Sequence, residues 1–234
     1  MIDKIELRDT HIHLTPDRFN KTLPLLIMSH GSGGISDMDY DFANIACTNG
    51  YQVAIIDHFT SRGVKSQIWH SVEDFYPSFD DRVQDICIVS SQYTSEKKIL
   101  FGISAGGTAV LSIGSEFDKT FCVYPALVGV TEQMLSAKNV TIVTGKDDNW
   151  TPVDHAERYS KYVDVDLHIV PGYHGFLNPR EDRYLPEVIS LRNISLPIPF
   201  ISTLDTIDYE KGVNVKYHKA SRIYTENLFK EWLS

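Results

Sequence analysis

The chain reads as a three-layer α/β/α sandwich around a mostly parallel sheet, and three observations predict this. Buried-strand patterns alternate with helical ones, as in residues 23–29 followed by 39–49, and 51–56 followed by 79–93. Strand, helix, strand with short joints is how a parallel sheet is written along a sequence. Several of these strand patterns stop abruptly at glycine-rich or turn-forming loops: His30-Gly31-Ser32-Gly33-Gly34, Gly102-Ile103-Ser104-Ala105-Gly106 and Pro171-Gly172-Tyr173-His174-Gly175. Finally, 234 residues with a 42% hydrophobic fraction are enough for one layered core, and no linker divides the chain. Residues 1–234 are therefore expected to form a single domain.

Taken in order, residues 2–14 alternate polar and apolar, which predicts a strand near a sheet edge with one wet face. His11 and His13 would point the same way on it, but a metal site needs a third ligand that this stretch does not supply. Residues 23–29 form a buried strand ending in the first glycine loop. The spacing of Phe42, Ile45 and Ala46 predicts a helix over 39–49, closed by Gly50, and 51–56 is the next buried strand. Residues 64–76 have no clear period. Over 79–93, Val83, Ile86, Cys87 and Val89 recur at helical spacing and are expected to pack on the sheet. A strand at 99–101, a helix over 106–113 and strands at 121–124 and 137–144 follow. The chain then continues as a helix over 154–163 and a strand at 165–170. From 177 to 211 the prolines Pro179, Pro186, Pro197 and Pro199 forbid a long helix, and this segment is expected to be a lid or a contact surface. Residues 218–233 close the chain as an amphipathic helix.

Composition narrows the partners. Lys+Arg 22 against Asp+Glu 31 leaves a net charge of −9, which disfavours nucleic acid or an anionic membrane surface. The charged N-terminal stretch is expected to be neither a signal nor a transit peptide. Cys47, Cys87 and Cys122 are an odd, widely spaced set, expected to be reduced core residues of a cytoplasmic protein. Neither metal nor cofactor is expected. No nucleotide-binding glycine motif is present. A homodimer stays open.

The chemistry-bearing pattern is Gly102-Ile103-Ser104-Ala105-Gly106, the G-x-S-x-G of a nucleophile elbow. A serine at a tight strand-to-helix turn needs glycines two positions either side, where a Cβ would meet neighbouring backbone. A serine hydroxyl is a poor nucleophile at neutral pH, so it needs a base, and the base needs an orienting acid. Candidates follow on later strand-end loops: Asp147 or Asp148, with the loop pattern favouring Asp148, and then His174. His30, His58 and His168 are less suitable by position. The glycine loop at 31–34 lies where a second oxyanion donor is expected. Pocket walls are assigned to Phe59, Arg62, Trp69, Tyr76, Trp150 and the 177–211 segment. Arg62 has a second reading, favoured here, in which it pins its own turn by bonding carbonyls.

These loop motifs, together with YQVAIIDHFTSRG at 51–63, GKDDNWTP at 145–152, PGYHGF at 171–176 and the terminal helix, resemble the dienelactone hydrolase family of the α/β-hydrolases. The resemblance runs from about residue 23 to 232. It implies the α/β-hydrolase fold, with Ser104 as nucleophile, Asp148 as acid and His174 as base. It also implies an oxyanion hole from the N–H of Ala105 and that of Ser32 or Gly33. The chain departs from the family in two respects. Dienelactone hydrolases proper use a cysteine nucleophile where this chain has Ser104, and the 177–211 segment is longer and more proline-broken than usual. The expected activity is hydrolysis of a small carboxylic ester or lactone through an acyl-enzyme, with a peptidase or amidase, or a non-catalytic binding protein, as alternatives.

Overall fold

The computed structural model describes all residues except 1–2, 9, 18–19, 21, 68–75, 129–130 and 193–209. Eight strands among the described residues form one sheet: β1 (Asp3–Arg8), β2 (His11–Thr15), β3 (Leu25–Ser29), β4 (Gln52–Ile56), β5 (Lys98–Ile103), β6 (Thr120–Val123), β7 (Val140–Gly145) and β8 (Val165–Val170). Their spatial order is β1-β2-β4-β3-β5-β6-β7-β8. β1 pairs antiparallel with β2, and β2 with β4; every other neighbouring pair in this sheet is parallel.

Burial explains the pattern. β3, β4, β6 and β7 are buried at every position, because helices cover both faces of the sheet. Alternate residues of each strand serve different layers. Leu25, Ile27, Leu100, Cys122 and Ile142 face one core, together with Ile86 and Val89 of α2 (Phe79–Ser91), Ala109 and Val110 of α3 (Ala105–Leu111), and Tyr159 of α5 (Val153–Tyr159). Leu26, Met28, Phe101, Phe121 and Val143 face the other, with Phe42 and Ala46 of α1 (Asp37–Thr48) and Phe229 and Leu233 of α6 (Lys219–Leu233). Phe229 meets the rings of Phe42, Phe101 and Phe121 at centroid distances of 5.1–5.3 Å, so it joins two helices to the sheet. A Phe229→Ala change would cost about 3–5 kcal/mol, the usual range for emptying such a site. A further short helix, α4 (Glu132–Leu135), precedes β7. Among the described residues no helix is long and apolar enough to cross a membrane.

Two expectations need correction and two gain detail. Residues 2–14 are two strands, not one: Arg8 pairs with His11, and alternation runs through the reversal without marking it. His11 and His13 share a face, as their spacing predicts, and there His11 meets Tyr93 while His13 meets Gln52. On α2 the buried stripe is Phe79, Arg82, Ile86 and Val89; Cys87 is exposed, so only Cys47 and Cys122 are core cysteines. Val83 packs partly buried against the same core, and a buried arginine, Arg82, lies beside it. Lastly, the 177–211 segment contains a strand, β9 (Asp182–Ile189), which pairs antiparallel with β10 (Lys211–Lys216) as a separate two-stranded sheet. Pro186 is tolerated because, among the described residues, β9 has a strand partner on one side only.

From β3 the chain crosses to β4 on one side, and from β4 it returns to β5 on the other. The carboxyl ends of β3 and β5 therefore flank the point where the winding direction reverses, where open α/β sheets place ligands.

Candidate active site

Ser104 is the residue between β5 and α3, with φ 52° and ψ −120°. This conformation is costly for any side chain and persists only where the surroundings enforce it. The two flanking glycines show how. A Cβ on Gly102 would lie 2.5 Å from the carbonyl oxygen of Gly106, and one on Gly106 would collide with the carbonyl of Ser29. The strand and helix thus approach more closely than any other residue allows. Ser104 N–H donates to Val123 O at 2.9 Å, anchoring the turn to β6.

His174 follows β8, and its Nε2 lies 3.2 Å from Ser104 Oγ. Its Nδ1 lies 2.8 Å from Asp148 Oδ2, on the loop after β7. All three side chains are buried. Asp147, the alternative acid, is exposed. The loop fold explains the choice: Asp148 Oδ1 accepts the backbone N–H groups of Trp150 (2.9 Å) and Thr151 (2.8 Å), turning Oδ2 towards His174. Thr151 was not singled out in the sequence, yet its hydroxyl contacts Asp148 Oδ2, His174 Nδ1 and the Tyr124 carbonyl. The imidazole lies between two rings, Tyr124 at 4.5 Å and Trp150 at 4.8 Å. β10 supports its loop, since Lys216 N–H donates to His174 O at 2.9 Å.

A cavity of about 310 Å³ opens onto Ser104 and His174. Gly31, Ser32 and Gly33 line it beside Ser104, as does Trp150. The assignments of Phe59, Arg62 and Tyr76 do not fit. Phe59 is buried, with its ring 4.6 Å from that of His30, and is not a wall of the cavity. Arg62 makes a two-pronged ion pair with Asp85 and donates to His58 O at 3.0 Å, so it pins its own turn. Tyr76 is exposed and does not reach the cavity. Trp69 lies outside the described residues. Side-chain direction, which one sequence does not carry, decides these positions. The walls that sequence reasoning missed include Met38, Asp39 and Tyr124, whereas Glu181, Arg183 and Leu185 come from the 177–211 segment, which is expected to contribute to the pocket. β9 and β10 pack on Trp150 through Val188, Val213 and Val215, which places this small sheet at the cavity rim.

The loop after β3 is held by buried polar groups. His30 Nδ1 faces Gly31 O at 2.7 Å, and its Nε2 accepts the His58 backbone N–H at 3.2 Å. These partners assign the proton to Nδ1. Burial, with Arg82 and His58 close by, holds this imidazole well below the ordinary histidine range. His58 in turn meets Ser29 Oγ at 2.9 Å and Asp85 at 2.7 Å, and burial pushes its pKa down to about 4.

No family model matches the chain, and no curated protein matches it by sequence. Solved structures do match. A candidate dienelactone hydrolase from Klebsiella pneumoniae subsp. pneumoniae superposes with a TM-score of 0.65 at 14% identity, over 95% of this chain and 91% of that one. A dienelactone hydrolase-like promiscuous phosphotriesterase from metagenomic libraries gives 0.64 at 12% identity, over 99% and 98%. Est1E from Butyrivibrio proteoclasticus gives 0.53 at 14%, over 74% and 90%. At such identities the likeness speaks for architecture, and the parallel sheet with helices on both faces agrees with it. The chain has the α/β-hydrolase fold, built as in the dienelactone hydrolase-like structures.

Proposed function

We propose that the protein is a serine hydrolase that cleaves a small carboxylic ester or lactone through an acyl-enzyme. The observation that carries this reading is the unbroken line from Ser104 Oγ through His174 to Asp148, with links of 3.2 and 2.8 Å, on the wall of a cavity sized for a small molecule. Ser104 attacks the substrate carbonyl as His174 Nε2 takes its proton. Asp148 keeps Nδ1 protonated and stabilises the imidazolium. The tetrahedral oxyanion is held by the N–H of Ala105 and that of Ser32 or Gly33. His174 returns its proton to the leaving alcohol, then draws one from the water that releases the acid. The net charge of −9 supports a small-molecule substrate over nucleic acid or a membrane surface, and a cytoplasmic setting belongs to the same reading.

The test is labelling by a fluorophosphonate together with turnover of 4-nitrophenyl esters of graded acyl length, lactones and 4-nitroanilides. Labelling and ester turnover are expected in the wild type and lost in Ser104→Ala and His174→Ala. Full labelling of Ser104→Ala would refute the assignment, and preference for the anilides would make the protein an amidase.

A further inference from the structure

We propose that Arg82 and Gln67 are positioning residues, which fix the peptide groups of the loop at 30–33 in the orientation that oxyanion binding requires. The proposal rests on the serine-hydrolase reading above and names residues that this reading does not use.

Three consecutive carbonyls of this loop are held from the protein side. Arg82 Nη1 donates to His30 O at 2.9 Å. His30 Nδ1 and the Gly34 N–H donate to Gly31 O at 2.7 and 3.2 Å. Gln67 N–H donates to Ser32 O at 2.7 Å. A trans peptide is planar and sets its N–H opposite its C=O. Holding those carbonyls therefore turns the N–H groups of Gly31, Ser32 and Gly33 away from these donors, and Gly31, Ser32 and Gly33 line the cavity beside Ser104.

Arg82 and Gln67 act as one brace. Arg82 Nη2 donates to Gln67 Oε1 at 2.9 Å, and Gln67 Nε2 donates to Pro77 O, so the side chain that aims the Gln67 backbone is tied at both ends. Both residues are fully buried. The guanidinium lies over the Phe59 ring, 5.2 Å from its centroid, and the same ring packs against Gly34. The guanidinium holds its two donors in a fixed planar fork, whereas an ammonium carries three rotatable donors on a flexible stem, so Arg82→Lys is not conservative here. Burial pushes the Arg82 pKa down to about 9, and Asp85, the carboxylate whose field favours its charge, is engaged by His58 and Arg62. A cation placed in the apolar stripe of α2 at this cost, with its donors on the loop, is hard to explain by packing.

The experiment compares Arg82→Lys and Gln67→Leu with the wild type. It measures kcat and KM for 4-nitrophenyl acetate and inhibition by phenylboronic acid, whose adduct with a serine is tetrahedral. Removing an oxyanion donor costs about 10²–10³ in kcat, and misaiming one should cost less. We expect kcat to fall about ten- to hundredfold in each variant with KM held within about twofold, and boronate binding to weaken by the same factor as kcat. Thermal unfolding identifies folded protein. Gln67→Leu keeps the backbone donor and removes only the brace, so it decides the matter if Arg82→Lys does not fold. Wild-type kcat in folded Gln67→Leu overturns the proposal, as does a kcat loss with unchanged boronate affinity. Turnover that survives Ser104→Ala overturns the serine-hydrolase reading and this proposal with it. Turnover lost in Ser104→Ala but kept in both brace variants overturns the proposal alone.

Discussion

The Thr151 hydroxyl lies 3.0 Å from Asp148 Oδ2, beside the hydrogen bond that Asp148 makes with His174. It also lies 3.1 Å from the Tyr124 carbonyl, so one side chain ties the acid's loop to the end of β6. Thr151→Val preserves shape and removes the hydroxyl. A net hydrogen bond is worth about 0.5–1.5 kcal/mol, so kcat for a short ester is expected to fall about 3- to 10-fold with KM unchanged. A wild-type kcat in this variant would show that the two backbone N–H groups orient Asp148 unaided.

Ser104, the proposed nucleophile, has a strained backbone. A non-glycine residue at φ 52°, ψ −120° costs about 1–3 kcal/mol, and replacing the hydroxyl alone does not relieve it. Glycine does, although the freedom it adds to the unfolded chain takes back about 0.5–1 kcal/mol. Both Ser104→Gly and Ser104→Ala are expected to be inactive, with Ser104→Gly the more stable by about 1 kcal/mol in urea unfolding. Equal stabilities would mean that the elbow is not strained.

Which parts of this molecule were readable from sequence follows from how local their causes are. The parallel strands were legible because burial on both faces writes a continuous apolar run, and Ser104 and Asp148 follow such runs; His174 follows β8, which is partly exposed, and was legible from its Gly-Tyr-His-Gly loop. Asp148 was favoured over Asp147 from the loop pattern, and its two backbone contacts show the local turn behind that pattern. β9 and β10 were not legible. β9 is largely exposed, contains Pro186 and borrows its few apolar contacts from a strand distant in sequence. Arg82 was hidden for the opposite reason: its position is a core position, and only its bonds to the His30 carbonyl and Gln67 show why a charge belongs there. Phe59, Arg62 and Tyr76 failed as pocket walls because proximity along the chain says nothing about which way a side chain leaves a loop.

His58 makes the protein sensitive to acid. Burial lowers its folded pKa to about 4, below the unfolded value near 6.5, so between these values the unfolded chain binds more protons. The stabilisation is complete above about pH 6.5 and is lost as pH falls towards 4, amounting to about 3 kcal/mol. His58→Gln removes this titration. Its destabilisation relative to wild type is therefore expected to shrink by that amount between pH 7 and pH 4, as read from urea midpoints. A constant difference across the range would contradict a buried neutral His58.

Asp39 has the opposite sign in an overlapping window. Its Oδ2 accepts the Ser36 backbone N–H at 2.8 Å at the start of α1, whereas Oδ1 has no hydrogen-bond partner among the described residues. Burial raises its pKa to about 6, above the unfolded value near 3.9, so the folded state binds more protons between the two. Stability from this group is present below about pH 4 and is lost as pH rises through 6, again about 3 kcal/mol. Asp39→Asn keeps an oxygen for the Ser36 N–H and abolishes the charge. It is expected to gain stability relative to wild type as pH rises from 4 to 7, while His58→Gln loses ground over the same interval. Urea unfolding of both variants at pH 4.5, 5.5 and 7 reads the two slopes together. A flat Asp39→Asn difference would mean that its carboxylate is solvated in the folded protein, through the cavity it lines.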